Sequence, residues 1–175
     1  GEYNTDWTVS SYNTGTKAYE TLSLTDAMEK GRGYWIIQII EDEKPVTLDM
    51  PIGSTVTAAT ESIPLTVSSD GADLWNLVGN PFATSLNLAE LRLVTDAPSC
   101  SDGSCDLNKA KENSLVGNKV WIYDGESYKE KGTDDQLDPW GGFWVSALAG
   151  SNGYSLALST SGGDEVGVYM GTYDT

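Results

Sequence analysis

Asp138-Pro139-Trp140-Gly141-Gly142-Phe143-Trp144-Val145 ends in a pattern that the chain has already run once, at Gly33-Tyr34-Trp35-Ile36. Upstream of it, Tyr123-Asp124-Gly125 and then Tyr128 answer Tyr12-Asn13, Gly15 and Tyr19. Downstream, Leu156-x-Leu158 answers Val46-x-Leu48. A fixed motif order at similar spacing marks a structural unit used twice, so residues 10–48 and 120–158 read as two copies.

The copies are built from strand residues. Apolar runs rich in β-branched and aromatic residues stand at 34–40, 63–67, 74–78, 119–123, 142–145 and 154–158, punctuated by Gly, Asn and Asp. Such spacing predicts an antiparallel sandwich or barrel. Asp124-Gly125 predicts a hairpin turn. Glu41–Pro45 and Ser151-Asn152-Gly153 are expected to turn the next strand in each copy. Helical signal is weak. Leu24–Gly31 offers one or two turns, capped by Thr25 or Asp26 and stopped by Gly31. Leu86–Leu91 reads as a short turn, and Asp106–Asn113 as a turn or loop. The expected fold is all-β and sandwich-like or barrel-like, with two related units packed together and minimal helix. The first, incomplete unit covers 1–69, the fuller second unit 70–162, and a C-terminal strand or tail, with Val166–Met170 as its strand, 163–175.

Charge removes several function classes. The formal net charge is −16, from 26 acidic and 10 basic residues. No basic footprint exists for nucleic acid, and an anionic membrane would repel this surface. No apolar run is long enough for a spanning helix. With no histidine, neither a Ser-His nor a Cys-His nucleophile pair can be built. Two carboxylates would suffice for a glycosidase, but no spacing singles out a pair, and the chain reads as a non-enzyme.

The two cysteines, Cys100 and Cys105, enclose a short stretch containing Asp102-Gly103, a turn former. A structural zinc needs four ligands that this chain lacks, and the spacing is wrong for a redox pair. A disulfide is the expected state, and it implies an oxidising compartment.

The second copy resembles a β-rich module of secreted and cell-surface bacterial proteins, often tandem and mostly of unassigned function. The resemblance is carried by Trp75-Asn76-Leu77-Val78-Gly79-Asn80-Pro81, Tyr123-Asp124-Gly125 and Leu137-Asp138-Pro139-Trp140-Gly141-Gly142-Phe143-Trp144-Val145. It covers 74–160 well and 7–50 in part. It implies an extracellular or cell-surface location in a bacterium and transfers no catalytic residue. The first copy departs from it by lacking the opening W-x-L-[IV]-G-x-P strand. Segment 166–173, or the same segment of a neighbouring molecule, is the expected substitute. The second case would make the protein a subunit of a surface fibre or array that assembles with identical subunits by strand complementation.

Glycan or another cell-surface polymer is the expected ligand otherwise, because aromatic faces stack on sugars while acids and amides take hydroxyl hydrogens. Trp35 and Trp144 coincide between copies, which assigns them to architecture. Trp140 aligns with Gly31, so the shared fold does not demand it. Trp140, with Asp138, Gln136 and Asp135 beside it in sequence, is the expected binding platform. No cofactor is expected. The loop acids Asp102, Asp106, Asp134, Asp135 and Asp138 admit a structural calcium, though without the spacing of a calcium loop.

Overall fold

The computed structural model describes residues 2–38, 60–67, 74–100, 103–117, 119–148 and 154–160, and it is all-β. A flanking sheet orders β2 (Ala18–Thr21), β1 (Trp7–Asn13) and β3 (Tyr34–Gln38). A central sheet orders β10 (Tyr128–Lys131), β9 (Val120–Tyr123), β12 (Gly142–Ala147) and β5 (Leu74–Gly79). An outer sheet orders β4 (Thr60–Leu65), β13 (Tyr154–Ser159), β7 (Arg92–Val94) and β8 (Ser104–Asp106). A two-residue ladder joins β11 (Gln136–Leu137) to β6 (Leu86–Asn87). All these pairings are antiparallel.

The sheets repeat each other as the motifs do. The order β2-β1-β3 matches β10-β9-β12. Tyr12 pairs with Tyr19 as Tyr123 pairs with Tyr128. Ser10 pairs with Trp35 as Trp121 pairs with Trp144. The fourth central strand, β5, is the W-x-L-V-G stretch that the first copy lacks. One edge of β5 pairs with β12 from Leu74 to Gly79. Its other edge meets the approach to β3: Arg32 bridges Val78, Gly33 N donates to Leu77 O at 3.1 Å, and Gly79 N donates to Gly31 O at 2.9 Å. Glycine at 79 permits this approach, because a Cβ there would lie 2.9 Å from Arg32 O. One strand in the chain thus borders both copies, although it reaches only the first residues of the slot in the first.

Strand alternation decides where each core lies. Val78, Phe143, Val145 and Val120 point from the central sheet toward Leu65, Leu93, Leu156 and Leu158 of the outer sheet and form part of the main apolar core. Trp144 and Trp121 point the other way, toward the flanking sheet. The strand β12 is therefore buried from Phe143 through Ala147 on both faces. Thr60–Leu65, which lies in sequence just ahead of the second unit, pairs in full with β13.

Helix is confined, among the described residues, to a 3-10 turn at Leu88–Glu90 and α1 (Leu107–Glu112). Asp106 caps α1 by accepting from Lys109 N at 2.8 Å, while Leu107 and Ala110 face the core. The stretch Leu24–Gly31 corrects the expectation of a helical turn. Asp26 folds back to accept from Ser23 N at 2.7 Å and donates its own N–H to Ser23 O, which closes a local turn instead. Its residues from Ser23 to Lys30 are exposed, so no apolar stripe exists to hold a helix against the body. The disulfide joins Cys100 to Cys105, both buried, and ties the loop before β8 to the core. The expected turns at Glu41–Pro45 and Ser151–Gly153, the strand Val46–Leu48, the strand Val166–Met170 and Asp102 lie outside the described residues.

Candidate functional site

The flanking sheet meets the central sheet through aromatic rings, and the contact is reciprocal. Tyr12 of the first copy packs edge-on against Trp144 of the second, with centroids 4.8 Å apart. Tyr123 of the second packs against Trp35 of the first at 5.1 Å. Tyr12–Tyr19 and Tyr123–Tyr128 close at 5.2 and 5.3 Å. The two equivalents Tyr19 and Tyr128 interact with each other, and that contact raises the Tyr19 phenol further after burial has raised it. When residue i touches j′ and j touches i′, with one pair of equivalents meeting, the two copies are related as halves of an isologous dimer. The indole N–H of Trp35 is buried without a full hydrogen bond. It sits close enough to Tyr19 to pull the phenol partly back down.

On one side of this contact the rings part to leave a cleft of about 380 Å3, lined among the described residues by Tyr12, Tyr19, Trp75, Trp121, Tyr128 and Trp144. Cross-strand alternation sets Trp75, Trp121 and Trp144 on one face of the central sheet. The turn of the first hairpin is fastened to the same place, since Thr14 Oγ1 donates to Trp75 O at 3.0 Å. Two of the six rings break the internal symmetry. The counterpart of Trp121 is Ser10, and Trp75 belongs to the strand without a counterpart. Reading the repeat two residues upstream of Tyr123 would have found Trp121 by the same logic that singled out Trp140.

The expected site residues lie elsewhere, on the segment leading into β12. Trp140 is 59% exposed and has φ 61°. Its counterpart Gly31 has φ 77°, so the two copies share a left-handed turn at this point. In the first copy a side chain would displace a neighbour, because a Cβ on Gly31 would lie 1.8 Å from Ile63 Cδ1. In the second the same turn carries an indole in solvent. Asn80, buried at the end of β5, holds the segment in place: its Nδ2 donates to Asp138 O and Thr84 O, both at 2.9 Å. Gln136 and Asp138 are exposed. Asp135 is committed locally, accepting from Gly132 N at 2.7 Å and facing Lys131. The Gly132 N–H, and then the Lys131 ammonium, hold its carboxyl below the usual range.

No group of three acids or cysteines among the described residues is placed to hold a metal ion. Asp106, one of the loop acids considered for calcium, is used as the cap of α1. Among the described residues no helix is long and apolar enough to cross a membrane. No family model, no curated protein and no solved structure matches the chain.

Proposed function

We propose that this chain is a non-catalytic accessory or adhesion module of a secreted bacterial protein, working outside the cell and gripping glycan with an exposed aromatic ring. The observation that carries this reading is Trp140. A bulky side chain in the left-handed region is disfavoured, and here the residue is 59% exposed, so only part of it packs to offset the strain. Strain of this kind collects at functional positions. Exposed Gln136 and Asp138 in the same segment supply hydrogen-bonding groups for hydroxyls, and the buried disulfide suits an oxidising compartment.

Affinity electrophoresis through gels carrying neutral plant and bacterial polysaccharides, with wild type and Trp140→Ala, tests the reading. Wild type is expected to be retarded by at least one polymer and Trp140→Ala to run free. A wild type that no glycan retards removes the glycan. The alternative is a subunit of a surface fibre or array assembling by strand complementation. It has less footing, because β5 already borders residues 31–33. Filaments seen by negative-stain microscopy would reverse that preference.

A further inference from the structure

The cleft between the flanking and central sheets is a second site, and its lining is unlike a sugar site. Sugar recognition needs planar polar groups around a stacked ring. Among the described residues the cleft offers six aromatic rings and no charged or amide side chain. The polar side-chain atoms of these six residues are phenol hydroxyls and indole N–H groups. The rings stand near right angles to their neighbours, 65° for Tyr12 and Tyr19 and 80° for Tyr12 and Trp144, so the walls present ring faces from more than one direction. The whole surface carries a net charge of −16, which draws cations toward it and repels anionic sugars.

We propose that this cleft binds a quaternary or fully methylated ammonium group carried by a small molecule. Such a cation has no N–H to satisfy, so a lining poor in acceptors leaves it no unmade hydrogen bond. Aromatic faces attract it through their quadrupole, most strongly where water is excluded. Trp75 and Trp121, the rings that break the internal symmetry, are the specificity-determining residues. On the opposite side of the sheet contact, Ser10 stands in place of Trp121, so the described residues there lack this ring of the cage.

The test is titration of the intact protein with choline, followed by tryptophan fluorescence and calorimetry, beside its neutral isostere 3,3-dimethylbutan-1-ol. Choline is expected to saturate the site at millimolar concentration, with the isostere about three- to fivefold weaker, as cation–π contacts with partly exposed rings allow. Trp75→Ala, at an exposed rim position, is expected to lose choline binding, and Trp75→Phe to regain most of it. No saturable binding of choline overturns the proposal. Equal binding of the isostere overturns it too, since the cleft would then be merely apolar. Binding of methyl glucoside that displaces choline would reassign the cleft to neutral sugar. None of these outcomes bears on the Trp140 gel shift, so the two sites fail separately.

Discussion

Gly31 and Trp140 occupy one backbone conformation in two copies, and they should respond to substitution with opposite signs. Trp140→Gly removes the left-handed strain of a bulky residue without uncovering any core. It is expected to raise stability by about 1 kcal/mol in urea denaturation while abolishing glycan retention. Gly31→Ala forces a Cβ to 1.8 Å from Ile63 Cδ1 at φ 77°, and is expected to cost about 2–3 kcal/mol. A Trp140→Gly variant less stable than wild type would mean that the indole is packed and not presented. Titration at the aromatic contact has a definite sign as well. Burial raises the Tyr19 phenol, and burial likewise raises Tyr34, whose hydroxyl accepts from Glu29 N at 2.6 Å. A phenol that ionises later in the folded state than in the unfolded one favours the fold while neutral. That contribution is complete below the unfolded value near 10 and disappears as pH rises through the higher folded values. Thermal melts should therefore fall across alkaline pH, and less steeply in Tyr19→Phe.

At the scale of elements, the keystone is the exit of β5. Asn80 donates to Asp138 O and Thr84 O and accepts from Phe82 N at 3.0 Å. Asn80→Ala strands these groups out of water, and a loss of about 2–4 kcal/mol is expected by chemical denaturation. The segment bearing Trp140 loses its anchor in the same change, so glycan retention should weaken even where the variant stays folded. The long strands were legible because their residues alternate or run apolar, as Leu74–Gly79, Gly142–Ala147 and Tyr154–Ser159 do. The second hairpin turn was legible from Asp124-Gly125: Asp124 Oδ1 accepts from Ser127 N and Glu126 N, and Gly125 has φ 99°. Short elements were not. Two residues of β6 or β11, and three of β7 or β8, carry too little period to register, and they exist because a neighbouring edge accepts them. Leu24–Gly31 had the caps of a helix without the buried face that holds one. For the site, one copy compared with the other made Trp140 visible. Trp121 departs from its counterpart Ser10 in the same way, while the cleft itself is hidden in the sequence, since it exists only where rings distant in sequence meet.

At the scale of the molecule, the three sheets differ in what holds them. The central and outer sheets share an apolar core that includes Phe143, Val145, Leu156 and Leu158, all fully buried. Among the described residues the flanking sheet adds none to that core. It is fastened by the reciprocal Tyr–Trp contacts, by Thr14 on Trp75 O and by the short ladder from residues 31–33 to β5. Free energies of local opening follow buried apolar contact, so the flanking sheet should open below the global transition. Hydrogen exchange read by mass spectrometry is expected to show β1, β2 and β3 exchanging faster than β5, β12 and β13. Trp144→Ala sharpens the expectation. It deletes a ring that Tyr12 packs against, at a global cost of roughly 3 kcal/mol for a large buried aromatic, and it should accelerate exchange in β1 and β2 more than in β13. Uniform acceleration across all strands would mean that the two copies fold as one cooperative body. The cleft between them would then be a fixed feature of that body, and ligand in it should protect β13 as strongly as β1.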